Sequence, residues 1–177
     1  MNIKLATISM AYLLTWAGNW ISFEPLDKSF HVLLPETPSY SNKSMDTEIG
    51  NVDVEYYFAT LDKGKDEIIF SINKTSYPSD FSLAKMDSSY YYILETTREG
   101  LLEQLKGKCL YQGPANQGDV VGDRFSIVYQ SAGDTMVVNT WMLPKESVLF
   151  TLQTFTPISK KLSPEINKFF DSFQIKI

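Results

Sequence analysis

The chain has 177 residues, 44% of them hydrophobic and 14% aromatic, and a formal net charge of −5. A chain of this length fits one domain, which buries roughly 68–70% of its unfolded surface and so needs no staple of disulfides or metal. With no run of Lys or Arg a nucleic-acid footprint is excluded and an anionic membrane surface disfavoured, while the single cysteine, Cys109, excludes an internal disulfide and any zinc site built on paired cysteines.

Lys4 precedes an apolar stretch from Leu5 to Ala17. A bilayer span takes about 20 apolar residues, so this stretch is too short to cross. It has the length of a signal-peptide core, and Thr15-Trp16-Ala17 places small residues at the −3 and −1 positions of a cut. Residues 1–17 are therefore read as a signal peptide and residues 18–177 as a single domain. The expected location is periplasmic or secreted, with no integral membrane span in the mature chain; without cleavage-directed export it would be cytoplasmic.

Trp20 to Phe23 and Phe30 to Leu34 read as short strands around a Pro25-Leu26-Asp27-Lys28 turn. Pro35, Pro38 and the polar stretch Ser39 to Asp46 read as a loop. Val52, Val54, Tyr56 and Phe58 then alternate with Asp53, Glu55 and Tyr57, the period of two that marks a strand with one buried face. After the turn Asp62-Lys63-Gly64-Lys65, Ile68, Phe70 and Ile72 continue the pattern, so Val52 to Ile72 is an expected antiparallel hairpin.

From Asp87 the period changes. Tyr90, Leu94, Thr97, Leu101 and Leu105 step by three or four and share one face of a helix, with Asp87 or Ser88 as its cap and Lys106-Gly107-Lys108 as its end. A strand near Cys109 to Tyr111 and a loop over Gly113 to Asp119 follow. Three strands come next, Phe125 to Gln130, Thr135 to Leu143 and Ser147 to Phe155, with turns at Ala132-Gly133-Asp134 and Pro144-Lys145-Glu146. The last helix takes Ser163 as cap and Pro164 as its first residue, and buries Ile166, Phe169, Phe170 and Phe173 against strands that include Val148, Phe150 and Leu152, leaving Lys168 exposed. Strands, helix, strands, helix, without regular alternation, give an α+β domain: an antiparallel sheet covered by helices.

Candidates for chemistry are few. One His and one Cys allow only a His31–Cys109 pair, and both lie in expected strands, where Cys is usually a small buried hydrophobe. A Ser-His-Asp triad would also need His31, and no Gly-x-Ser-x-Gly elbow presents a serine. Asn116, Asp119 and Asp123 offer oxygens for a cation, yet their spacing does not match an EF-hand loop, and the same residue types dominate turns. Asp119 and Asp123 are also the general-acid or base material worth testing. No phosphate loop or dinucleotide fingerprint is present. The aromatics Tyr90, Tyr91, Tyr92, Trp141 and Phe150 read first as core, and alternatively as the lining of a helix–sheet cleft for a lipid or metabolite. Asn42-Lys43-Ser44 and Asn73-Lys74-Thr75 fit the glycosylation sequon.

Phe30-His31-Val32-Leu33-Leu34-Pro35, the hairpin ending at Tyr77-Pro78, and the close Phe169-Phe170-Asp171-Ser172-Phe173 together resemble the layout of Mog/PsbP-like domains. The resemblance covers residues 20–177 in order and spacing, through short motifs. It implies an α/β/α sandwich around a central antiparallel sheet. It implies mostly non-enzymatic roles, as in the extrinsic photosystem II subunit, Ran-binding proteins and exported DcrB-like proteins. The implied function is a non-catalytic accessory or binding domain with a protein partner in the cell envelope, no catalytic residues and no cofactor. The chain departs from the photosynthetic members in lacking paired histidines that could hold a metal, and it has no conspicuous acidic patch of the kind Ran-type binding would use.

Overall fold

A computed structural model describes residues 20–83 and 88–176. The expected signal segment and the cap position Asp87 lie outside the described residues. The elements run β1 (Ile21–Phe23), β2 (Phe30–Leu34), β3 (Ser39–Thr47), β4 (Gly50–Leu61), β5 (Ile68–Ser76), α1 (Ser88–Leu105), β6 (Lys108–Gln117), β7 (Val120–Ser131), β8 (Asp134–Lys145), β9 (Val148–Pro157), α2 (Pro164–Ser172) and β10 (Gln174–Ile175), with one 3-10 turn at Ile158–Lys160.

Two meanders build the main sheet. β3, β4 and β5 form one and β6 to β9 the other, and the order is β3-β4-β5-β9-β8-β7-β6, antiparallel throughout. α1 carries the chain from β5 to the far edge at β6, so that β9 returns to pair with β5. β1, β2 and β10 make a separate three-stranded antiparallel sheet.

The seven-stranded sheet therefore has a core on each face. On one face Phe30, Val32 and Leu34 of β2 and Ile166, Phe169 and Phe170 of α2 pack on Tyr57, Phe70, Ile72, Phe150 and Leu152. On the other, Tyr90 and Leu94 of α1 pack on Phe125, Ile127, Val138, Met142 and Leu149. The α+β class expected from the element order is the class observed.

Several expectations need correction. Ser39 to Asp46 is not a loop: β3 pairs with β4 from Ser39↔Phe58 to Thr47↔Gly50. As an edge strand it is exposed at every residue except the half-exposed Met45, so it carries no alternation to read. Gly113 to Asp119 is likewise mostly strand, since β6 runs to Gln117 as the opposite edge, with Ala115 its one buried residue. The true turn is Gly118-Asp119, where Gly118 takes φ +61°.

Pro144, assigned to a turn, lies inside β8 opposite Leu149. Lys145 and Val148 close a two-residue hairpin, so Pro144 sits at the next, non-bonded position and its backbone faces β7. The β7 ladder has already ended at Asp123↔Met142, so the missing amide costs nothing there. In β4 the single buried stripe from Val52 to Phe58 is broken. Val52 and Val54 are buried on the α1 side, then Tyr57 and Ala59 on the β2 side, leaving Phe58 exposed.

α1 stops at Leu105, so the end expected at Lys106-Gly107-Lys108 is the end observed, with Lys106 in the left-handed position, φ +48°. The Lys106 amide donates to Glu103 O at 3.2 Å and the Gly107 amide to Leu102 O at 3.0 Å, a Schellman cap with a lysine where glycine is usual. Gly107 is required for another reason: a Cβ there would lie 2.4 Å from Ile127 Cγ2. Lys106→Gly is expected to raise stability by about 1 kcal/mol, the left-handed cost of a side chain, as read by denaturant midpoint. At α2, Ser163 is the N-cap residue, but its hydroxyl donates to the Glu165 carboxylate and accepts no backbone amide of the first turn; Pro164 follows at the first turn as expected.

Candidate binding site

One helix cannot cover seven strands. Six interstrand gaps of about 4.8 Å make a sheet roughly 29 Å across, whereas a helix is about 10–12 Å thick. α1 settles over β7 to β9, where Tyr90 and Leu94 are buried. The Tyr90 hydroxyl anchors it by donating to Asp123 Oδ2 at 3.0 Å, and burial, reinforced by that carboxylate, pushes the phenol's pKa up.

Among the described residues no helix lies over the β3–β5 half of the same face. Between it and the flank of α1 carrying Ile93, Thr97 and Leu101 runs an open groove of about 640 Å³. Met45, Val52, Val54 and Tyr56 give it an apolar wall, and Thr75, Thr151 and Gln153 a neutral polar floor. Glu48 is the one charged residue in its lining. The volume falls within the roughly 300–1,000 Å³ of ligand pockets. The arrangement can bind an apolar, uncharged surface.

An ion cluster around the buried Lys74 stands on the opposite face. Lys74, about 8% exposed, reaches the Glu55 carboxylate at 2.8 Å and the Asp27 carboxylate, while Tyr57 donates to Glu55 at 2.7 Å. Asp27 also accepts from the Ser29 amide at 3.1 Å and hydroxyl at 2.8 Å. Burial alone would raise the Asp27 pKa, but the hydrogen bonds from Lys74 and Ser29 outweigh it and hold the carboxyl below its usual range. A depressed folded pKa stabilises the fold above the unfolded carboxylate value and loses that contribution as pH falls through the folded one. Thermal melts across the acid limb should therefore show a smaller pH dependence in Asp27→Asn than in the parent; equal slopes would contradict this.

The residues singled out from sequence are not brought together. Cys109 is exposed on edge strand β6 and its thiol donates to Tyr111 O at 3.3 Å. His31, on β2, has its Nε2 2.7 Å from Ser22 Oγ, while its Nδ1 is buried without a partner. An orphaned buried N–H costs more than an orphaned lone pair, so the proton belongs on Nε2 and His31 donates to Ser22. That is the wrong direction for activating a serine, and no carboxylate holds Nδ1.

Asp119 pairs with Lys145 at 3.6 Å, Asp123 takes the Tyr90 hydroxyl, and Asn116 lies exposed on β6. Among the described residues no group of three or more His, Cys, Asp or Glu side chains is placed to hold a metal. The aromatic cleft is corrected as well. Tyr90 is core, Tyr91 and Tyr92 are exposed, and Trp141 and Phe150 belong to the other face, where Trp141 stacks on Phe170 at 4.9 Å. A helix–sheet cleft exists, but different residues line it. Of the sequons, Asn42 is exposed on β3 and Asn73 lines the groove.

No family model and no curated protein matches the chain. Solved structures do. The solution structure of cyanobacterial PsbP (CyanoP) from Synechocystis sp. PCC 6803 aligns over 97% of this chain and 99% of its own, with a TM-score of 0.55 at 10% identity. A crystal structure from Bacteroides thetaiotaomicron VPI-5482 aligns over 88% of this chain and 48% of its own, with a TM-score of 0.49 at 12% identity. The apo immunity protein TplEi of the T6SS from Pseudomonas aeruginosa aligns over 91% and 98%, with a TM-score of 0.47 at 10% identity. The match to the cyanobacterial protein makes this a PsbP-like fold; at such identity the likeness speaks for fold alone. Among the described residues no helix is long and apolar enough to cross a membrane.

Proposed function

We propose that the protein is an exported, non-catalytic accessory domain of the Mog/PsbP-like type, which binds an extended segment of a partner protein in the groove beside α1. The observation that carries this reading is the open groove of about 640 Å³ beside α1, with an apolar wall and a single charge in its lining. Its border supports a polypeptide as occupant. Among the described strands β3 is outermost, so a peptide that extends from the groove past that edge gains main-chain hydrogen bonds as well as apolar contact. The PsbP-like fold and the unproductive direction of the Ser22–His31 bond support a binding role over a catalytic one.

A photocrosslinking residue placed at Thr97 or Met45 in the native host should capture the same partner from both sites, and the same residue at Lys161, on the other face, should not. Failure of both groove positions to form a reproducible adduct would remove the proposal. Export is tested separately by intact mass, which should show a mature chain beginning after Ala17. The groove's volume also suits a small apolar ligand. A lipid or metabolite copurifying in native mass spectra, and lost on Thr97→Trp, would favour that reading.

A further inference from the structure

On the face opposite the groove, a second cavity of about 470 Å³ opens between the β1–β2 turn and the start of β3. Three rings form its wall. Tyr57 stands 5.4 Å from Phe23 and 5.2 Å from Tyr40, centroid to centroid, each pair tilted. The remaining lining includes the carboxylates of Glu24, Asp27 and Glu55 and contains no cation.

Two of the positive charges nearby are engaged from outside the lining, and Lys28, in the same turn, also acts on Glu24. Lys176 meets Glu24 at 2.5 Å, and Lys74 is shared between Asp27 and Glu55. One ammonium facing two carboxylates leaves a net negative charge beside three aromatic faces. The mouth is unfilled: Leu26, at the tip of the turn, is fully exposed and Tyr40 more than half exposed.

The geometry points to this cavity as a binding site for a small organic cation, an alkylammonium group with its charge set against Asp27 and Glu55 and its carbon surface against Phe23, Tyr40 and Tyr57. Each feature excludes an alternative. An anion would meet three carboxylates. A bare metal ion such as calcium wants six or more oxygens, whereas the carboxylates of Asp27 and Glu55 are already shared with Lys74 and the Tyr57 hydroxyl donates to Glu55. A neutral apolar ligand would strip water from the carboxylates without repaying it. An alkylammonium satisfies both halves of the wall, because ring faces attract cations while the methylene or methyl groups gain apolar burial. Each carboxylate oxygen can accept more than the one or two bonds it already has. The site shares no residue with the groove beside α1 and stands or falls independently of it.

The test is calorimetric titration of the full chain with choline and with its uncharged isostere 3,3-dimethylbutan-1-ol. Choline is expected to bind and the isostere to bind at least tenfold more weakly. Tyr40→Leu, on an exposed edge strand where folding is not at stake, should weaken choline about tenfold, whereas Tyr40→Phe should retain it. Asp27→Asn should weaken it similarly, with circular dichroism checking that the turn still folds. Cosedimentation with phosphatidylcholine vesicles but not phosphatidylglycerol vesicles would assign the cation to a lipid headgroup; choline binding without cosedimentation would assign it to a soluble amine. The inference is overturned by no choline binding at millimolar concentration, by equal binding of the isostere, or by choline affinity unchanged in both Tyr40→Leu and Asp27→Asn.

Discussion

Phe169→Ala and Phe173→Ala are each expected to cost about 3–5 kcal/mol, because each leaves a ring-sized cavity that its neighbours cannot close. Phe169 meets Phe70 edge-on at 5.2 Å, and Phe173 lies between Phe30 at 5.3 Å and Phe150 at 5.6 Å. All five rings are fully buried. Phe30 is the hub, also touching Phe23 and Tyr57, so loss of Phe173 loosens the contact between the small sheet and the large one. In a domain of this size each kcal/mol moves the melting temperature by about 2–4 °C, which makes the expected fall roughly 6–20 °C. Asn167→Ala, on the exposed side of α2, should stay within about 0.5 kcal/mol. Lys168 is not the free surface residue the helix pattern suggested. Its Nζ sits 4.7 Å over the Trp20 ring, so Lys168→Ala should cost about 0.5–1 kcal/mol. If Phe169→Ala and Phe173→Ala both melt with the parent, α2 is peripheral and the packing of the first core is wrong.

The final helix was legible in the sequence because every signal agreed: a capping position, Pro at the first turn, and apolar residues on one face. α1 was legible from its apolar face alone, down to Tyr90 and Leu94 as its buried steps. Both edge strands were missed, and for one cause. Periodicity reports a difference between two faces, and β3 and β6 are exposed on both. The β4 stripe misled in the opposite way, since its two ends are buried on opposite faces by different elements.

The groove has a trace in the sequence. β5 alternates Ile68, Phe70 and Ile72 with Ser71, Asn73 and Thr75, and β9 alternates Phe150 and Leu152 with Thr151 and Gln153. Strands in the middle of a sheet covered on both faces tend to be apolar throughout. A polar phase on two adjacent central strands therefore marks the floor of the groove beside α1. The second cavity left no such trace. Glu24, Asp27, Tyr40 and Glu55 come from three segments whose meeting depends on where the small sheet docks.

Gly122→Ala should be among the most damaging single-methyl additions in the chain, at about 3 kcal/mol. Gly122 is buried near the start of β7, and a Cβ there would lie 2.0 Å from Met142 O, 3.0 Å from Met142 C and 3.2 Å from Leu143 Cα. All three are backbone atoms of β8, so no rotamer change relieves the clash and the strands must part. The opening would fall beside Asp123↔Met142, the last rung of the β7–β8 ladder, so amide exchange at Met142 and Leu143 should quicken with the drop in stability. Two other glycines calibrate the result. Gly118 meets nothing within 4 Å but holds φ +61°, so Gly118→Ala should cost only about 1 kcal/mol of backbone strain. Gly100 lies inside α1 with open space at its Cβ position, so Gly100→Ala should stabilise by up to about 1 kcal/mol. Three identical additions of one methyl group should thus give a large loss, a small loss and a gain. Denaturant melts in which Gly122→Ala matches Gly118→Ala would show that β7 and β8 do not approach as closely as the geometry requires.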